Sequence, residues 1–430
     1  MKKIISLVIV CMIIISGMFI YNESDKKEVL EDGSGPIIAA VIDGKTSTSF
    51  PTTDKYVATV ECTRNGVKQD VGAKATWNGT KWVVSFNDIS AGNVRCNVNF
   101  REPNFADTIL AKNEVKTPIT TPGAAISTAD EALLASTEDD YGTSYYFRGA
   151  VKNNYVQFAN KCWRIVRVGG DGSVKLILHN DNTAGATNPC DAANNNTSAA
   201  FARYSGTTYL SQFNTKSTDN AYVGFKYGTA GASDYESAHA NINKSEILTN
   251  LETWYNNNLK KYEKVIDDTV WCNDKTTVTD ITYNPYNWSG VNGLGYAKNV
   301  TYYGATQRLV DVSGNAGGTG LSLKCNGELS KINSKVGLIT VDELAFAGYA
   351  ARLKNETTYL QENATDDYWW SLSPANFSVN YAEVWGIYGG TGVFKGFIVY
   401  NNRGVRPSIS FKPTTKVTGD GTSEKPYVVN

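Results

Sequence analysis

Two stretches near the carboxyl end decide how this chain is read: Y-W-W-S-L-S-P, Tyr368 to Pro374, and G-V-R-P-S-I-S-F, Gly404 to Phe411. Both read as closing strands of one carboxyl-terminal domain. Between them lies W-G-I-Y-G-G-T-G-V-F-K-G-F, Trp385 to Phe397, which sets aromatic residues on a glycine-rich stretch. Aromatic rings offer broad amphipathic faces to sugars or protein partners. Trp385, Tyr388, Phe394, Phe397 and Tyr400 are therefore the expected ligand face, the competing reading being alternating core and surface positions of closing hairpins.

Upstream, strands are expected at Tyr145 to Val151, Val156 to Phe158 and Cys162 to Val168, the last turning through G-G-D-G-S into V-K-L-I-L-H. Three helix starts are marked by a capping residue followed by glutamate three positions on: Thr128 with Glu131, Asn243 with Glu246, and Thr340 with Glu343. Residues 180–240, rich in Asn, Ala, Ser, Thr and Gly, read as long surface loops where binding residues usually lie. Few helices among many short strands predict an α+β domain over residues 127–412, with 413–430 as an extension beyond it.

Before this domain, residues 103–126 hold three prolines among threonines and read as a linker. Residues 36–102 alternate as strands do, with Tyr56, Ala58, Val60 and Cys62 on one face and Val94, Cys96, Val98 and Phe100 on another. Asn78-Gly79 is the signal for a two-residue type I′ hairpin flanked by Trp77 and Trp82. With tryptophan between two cysteines, this segment resembles a small immunoglobulin-like β-sandwich.

The amino end, M-K-K-I-I-S-L-V-I-V-C-M-I-I-I-S-G-M-F-I-Y, sets two lysines before an uncharged apolar run ending at Tyr21. Its length suits a membrane span and its best small-x-small site is poor, so residues 1–21 are expected to be a signal anchor, followed by a stalk over 22–35. Cys11 falls in that run. The other six, Cys62, Cys96, Cys162, Cys190, Cys272 and Cys325, lie beyond it without C-x-x-C spacing. Three disulfides in sequence order are expected, in an oxidising compartment, although spacing alone does not fix the connectivity.

The chain has 430 residues, a formal net charge of −1 and no long basic run, which excludes the electrostatic footprint of a nucleic-acid binder. Hydrolytic chemistry needs a positioned nucleophile and base, yet the only histidines, His179 and His239, adjoin no serine or cysteine motif. Adjacent acids at Asp139-Asp140, Asp267-Asp268 and Asp366-Asp367 read as surface pairs. No cofactor or metal is called for, Ca²⁺ held by these acids and loop carbonyls being the alternative.

The order Y-Y-F-R-G-A-V-K-N-N-Y-V-Q-F-A-N-K-C-W-R-I-V-R-V, V-W-C-N-D-K, L-K-C-N, G-L-I-T-V-D-E-L-A-F-A-G, W-W-S-L-S-P, G-V-R-P-S-I-S-F and G-D-G-T-S-E-K-P-Y-V-V resembles membrane-anchored surface proteins of Gram-positive bacteria, over residues 130–430. The domain is also distantly similar to the formylglycine-generating-enzyme (sulfatase-modifying factor) branch of the C-type-lectin-like fold. That branch's helix pattern is matched at Leu338, Thr340, Glu343 and Ala347, and its Gly-aromatic-Arg turn falls on Gly404-Val405-Arg406.

The resemblance implies that first and last strands pair, setting 145–151 beside 407–411. It also implies that Trp369 or Trp370 anchors a core strand and that Arg406 hydrogen-bonds backbone at a turn. No cysteine follows Cys325, so the enzyme's copper chemistry does not carry over. The function expected is a non-catalytic cell-surface binding or adhesion protein, single-pass in the membrane, with an extracellular glycan or protein as partner. An envelope-acting enzyme and a structural assembly subunit are the alternatives.

Overall fold

The computed structural model describes residues 37–87, 94–126, 128–194, 200–204, 207–362, 364, 367–378 and 380–429. The chain is β-rich with a minority of helices and falls into two compact units that divide between Pro103 and Asn104. Among the described residues no helix is long and apolar enough to cross a membrane. The expected anchor over 1–21 and stalk over 22–35 lie outside the described residues.

The first unit contains β1 (Ile37–Ile42), β2 (Lys45–Ser47), β3 (Val57–Arg64), β4 (Val67–Gln69), β5 (Lys74–Trp77), β6 (Trp82–Ser85) and β7 (Val94–Arg101). Five of them form a sheet in the order β2-β1-β7-β3-β4, and β5 pairs with β6 alone. Strand alternation holds in β7, where Val94, Cys96, Val98 and Phe100 are buried while Arg95 and Asn97 are exposed. Trp82 packs its ring against Phe100, 5.2 Å between centroids.

Two expectations change here. Cys62 and Cys96 are bonded, but they stand opposite one another on the adjacent strands β3 and β7, so the bridge lies within one sheet. An immunoglobulin-type bridge joins two sheets. Nor does Asn78-Gly79 form a two-residue turn: Trp77 opposes Trp82, four residues span the gap, and Asn78 Oδ1 accepts from the Thr80 and Lys81 amides at 3.0 Å. A side chain that can bond the backbone two and three residues on favours this wider loop.

The second unit opens with α1 (Phe105–Lys112), inside the stretch expected to be a linker. Asn104 and Asp107 close a reciprocal capping box, and Phe105, Ala106 and Ile109 are buried. Next come β8 (Ala132–Asp139), β9 (Gly142–Gly149), β10 (Tyr155–Phe158), β11 (Lys161–Val168) and β12 (Val174–Asn180). The helix expected after Thr128 is instead strand β8. Glu131 turns away from a cap and into an ion pair with buried Arg148, at 2.7 Å, while the Thr120 amide donates to it.

Beyond β12 the ladders are short: β13 (Arg203–Tyr204) with β14 (Thr207–Thr208), then β15 (Leu210–Ser211), then β16 (Lys226–Tyr227) with β17 (Asn243–Lys244), enclosing α2 (Tyr235–His239). Helix α3 (Glu246–Asn258) is capped by Ser245, two residues later than expected, through a bond from the Leu248 amide. β18 (Thr269–Cys272) pairs with β20 (Lys331–Ser334), and between them lie β19 (Thr301–Tyr302) and α4 (Gly304–Leu309). Helix α5 (Val341–Ala347) starts as the sequence predicts, with both halves of the Thr340–Glu343 capping box formed.

The closing strands are β21 (Tyr368–Phe377), β22 (Ala382–Tyr388), β23 (Val393–Ile398), β24 (Arg403–Gly404), β25 (Ser408–Phe411), β26 (Val417–Thr418) and β27 (Tyr427–Val429). One sheet runs β25-β12-β11-β10-β27-β26, with β9 joined to β11 and β8; the other runs β15-β24-β21-β22-β23, with β19 on β21. The expected pairing of 145–151 with 407–411 is therefore replaced: β25 lies beside β12, Ile409 opposite Leu176, while β9 takes β8 and one end of β11. Residues 413–430 are no mere extension, since β27 adds to β10 in parallel and Tyr427 is buried against Phe105, 5.1 Å ring to ring. The remaining cysteines pair as Cys162–Cys190 and Cys272–Cys325.

Candidate functional site

The two quoted stretches meet in the second sheet. β24 runs parallel to β21 with Gly404 opposite Trp369, and both tryptophans of the pair are buried. Trp370 donates its indole N–H to Ser211 O at 2.8 Å, and the Arg406 guanidinium lies 4.8 Å over the Trp369 ring. Arg406 also donates to backbone, Nη1 to Leu360 O at 2.9 Å and Nε to Leu178 O at 3.3 Å. The turn and the tryptophan pair thus lock one another.

The face of this sheet opposite Trp369 carries a different cluster. In the β22–β23 hairpin Gly386 opposes Lys395, Val384 opposes Phe397, and Tyr388 opposes Tyr368 across β21. Gly386 is needed for closeness: a Cβ there would arrive 2.7 Å from Phe397, whose ring leans into the vacant place. Tyr368 consequently stands 4.9 Å from both Tyr388 and Phe397, ring centroid to ring centroid.

Arg403, on β24, spreads its guanidinium 4.5 Å over Tyr368 and 5.3 Å over Phe397, and Lys395 lies 5.6 Å from the Phe397 ring. Arg403 Nε has no hydrogen-bond partner among the described residues. Tyr368 and Tyr388 are half-buried, Lys395 is exposed, and neither phenol is hydrogen-bonded within the protein among the described residues. The result is a platform of three rings flanked by two cations, with two half-buried phenols left for something outside the fold.

Of the five residues expected to face a ligand, Trp385 and Phe394 are fully buried and pack on each other at 5.4 Å, so they belong to the core. Period-two alternation sends them to the opposite face from Tyr388 and Phe397. Tyr388 and Phe397 join the platform. Tyr400, 40 % exposed, sits apart from it beside Tyr381 at 6.1 Å. The sequence reading does not single out Tyr368, Lys395 or Arg403, although the same alternation counted across V-F-K-G-F-I places Lys395 beside Phe397.

A second cluster surrounds a cavity of about 40 Å³ beside the Cys272–Cys325 bridge. Arg167 links Asp139 (2.8 Å) to Glu343 (3.0 Å), Lys175 also reaches Glu343 (2.6 Å), and Arg308 links Asp274 (2.7 Å) to Asp342 (2.8 Å). Backbone amides fill remaining acceptor positions, from Gly170 and Tyr141 to Asp139, from Cys325 to Asp140 and from Ser322 to Asp342. Burial alone would raise the Glu343 carboxyl, but Lys175 and Arg167 outweigh it and hold it down at about 2. The cavity is a closed ion network in which each carboxylate already has donors.

The remaining sequence candidates are structural in their contacts. His239 is buried with Nε2 2.6 Å from Gly295 O, and burial lowers its pKa to about 3, leaving it neutral; burial likewise lowers His179. Asparagines of the stretch expected to be surface loops are turned inward. Asn220 Nδ2 reaches Ala297 O and Asn299 O, and Asn214 Nδ2 reaches Tyr222 O and Gly224 O. Asp366 lies outside the described residues, and among the described residues no three His, Cys, Asp or Glu side chains gather as a metal would need.

Comparison with known proteins finds no matching family model, no matching curated protein and no matching solved structure.

Proposed function

We propose that the chain is an extracellular recognition protein, held at a membrane by residues 1–21, whose second unit is a C-type-lectin-like head that binds a glycan on the Tyr368–Tyr388–Phe397 platform. The observation that carries this reading is the pairing of two half-buried tyrosine rings, Tyr368 and Tyr388, with the Arg403 guanidinium that lies over one of them. Rings receive the apolar face of a sugar, and an arginine fork beside them receives a hydroxyl or an acidic substituent. The charged cavity supports the reading by contrast. Its groups satisfy one another, whereas those of the platform do not.

The test is binding of the full chain, purified in mild detergent, to immobilised glycans and cell-wall fragments. Arg403→Ala and Tyr388→Ala should each weaken a saturable interaction about tenfold or more, as for a central anchor of an interface. Neither side chain holds the core, so their unfolding curves should match the parent. Binding that survives both changes would move the site elsewhere, and no binding to any glycan would favour a protein partner.

A further inference from the structure

An open groove of about 550 Å³ is cut into the second unit where the start of α2, residues 276–277 and the 293–296 loop come together. Its apolar walls are the rings of Tyr235 and Tyr296 and the side chain of Leu294, which is 45 % exposed although large and apolar. That volume falls within the range of roughly 300–1,000 Å³ in which proteins hold small ligands. The walls are fixed from behind. Tyr235 donates its hydroxyl to Lys275 O at 2.9 Å, and its ring lies 4.7 Å from that of buried His239. The 293–296 loop runs so close to its neighbour that a Cβ on Gly293 would arrive 2.3 Å from Val278 O, and one on Gly295 2.5 Å from Thr277 Cγ2 and 3.0 Å from the Tyr235 ring. His239 Nε2 and Gly295 O, 2.6 Å apart, tie the loop to α2, so the shape exists before any ligand arrives.

The charge of the groove is one-sided. Asp234 and Glu236 line it, and no lysine, arginine or histidine does; its other polar side chains are hydroxyls. Asp234 accepts from the Ser237 amide at 2.7 Å, and bonds from Ser237 hold its carboxyl below the ordinary range. Glu236 has no ion-pair or hydrogen-bond partner among the described residues. Lys275 does not answer these carboxylates. Its ammonium is spent on Lys226 O, His239 O and Asn241 Oδ1, none of which lines the groove. Carboxylates and phenol faces are both electron-rich, so the groove offers a negative field and no cation of its own. A neutral ligand leaves that field unanswered and an acidic one opposes it, whereas an ammonium pairs with the carboxylates and sits on the ring faces while its methylenes cover Leu294.

We propose that this groove binds a small aliphatic amine of the lysine type, its ammonium set among Asp234, Glu236 and the two tyrosine rings and its alkyl stem lying against Leu294. The site is independent of the glycan reading and opposite in charge to the platform, where Arg403 and Lys395 stand beside the rings.

The experiment is calorimetric titration of the full chain, purified in mild detergent, with three probes: Nα-acetyl-lysine methylamide, its norleucine counterpart, which lacks only the amino group, and pentylamine. The lysine derivative should bind saturably at a single site and more weakly as salt is added, and the norleucine derivative should not bind. Pentylamine matching the lysine derivative would identify a free amine as the ligand, and tighter binding of the lysine derivative a lysine carried on a peptide. Asp234→Asn keeps the cap of α2, since asparagine caps as well as aspartate does. Combined with Glu236→Gln it should weaken binding about tenfold, each exposed ion pair accounting for up to about fivefold. Tyr296→Ala should cost about threefold, and Tyr296→Phe, which keeps the ring, should cost little. Arg403→Ala should leave amine binding unchanged, so that failure here and failure of the glycan site are told apart. If the double variant does not fold, Glu236→Gln alone, on an exposed side chain, still decides. Equal binding of the norleucine derivative, an affinity indifferent to loss of the carboxylates, or no saturable heat with either amine would each overturn the proposal.

Discussion

A single methyl group added at Gly404 would arrive 2.0 Å from the Phe201 ring, which is wholly buried. Gly404→Ala should therefore destabilise the second unit by about 1–3 kcal/mol, the usual consequence of overpacking, read as a lowered urea midpoint with an unchanged slope. The glycine is legible in G-V-R-P; the ring that requires it, far upstream in the chain, is not. The same limit explains Glu131. Thr128 and Glu131 carry the local signature of a helix start, but the buried guanidinium of Arg148 needs a carboxylate, and that demand outweighs a cap worth about 1 kcal/mol. Thr340 and Glu343 carry the same signature and do form the cap, since Glu343 can serve the Thr340 amide and two cations together.

Elements were readable where their pattern was long, and lost where composition spoke louder than periodicity. The strand alternation of β7 and the hairpin from β11 to β12 follow from spacing alone. Helix α1 is eight residues between prolines and threonines, so its neighbours disguise it, yet its Phe105 ring meets Phe411 at 6.2 Å and Tyr427 at 5.1 Å. A chain beginning at residue 104 should accordingly keep a cooperative unfolding transition for the second unit. One beginning at residue 127 should lose on the order of 3 kcal/mol or more through the missing Phe105 and Ile109, with dye binding to newly exposed apolar surface. Equal melting of the two would restore the linker reading. The aromatic platform was half legible for a related reason: the sequence shows that aromatics cluster in 385–400, but only the register with β21 separates Tyr388 and Phe397 from Trp385 and Phe394.

Across the whole molecule, two carboxylates held among cations, Glu343 buried and Glu362 half-buried, shape the response to acid. Burial would raise Glu362 as it would Glu343, but Arg164 and the Tyr155 hydroxyl hold it down to about 2, against an ordinary value of 4.5 for both. Unfolded chains take up protons near 4.5 while the folded chain stays ionised, so this stabilisation is complete above that pH and drains away as the pH falls toward 2. Glu343 alone should account for on the order of 3 kcal/mol of that loss, and Glu343→Gln should flatten the fall of the urea midpoint between about pH 5 and pH 3. The β-rich character and the existence of two units could be read from composition and the proline-rich break, and three disulfides from an even count of cysteines whose pairing spacing leaves open; the order of strands in the sheets could not, because pairs such as β12 with β25 join residues far apart in the chain. The parallel pairing of β27 with β10 extends that point to biogenesis. During synthesis the edge of β10 must wait, with Val156 uncovered, until residues 427–429 have left the ribosome. A message cut short by a few codons would release a chain with an open sheet edge, which proteases can recognise as unfinished.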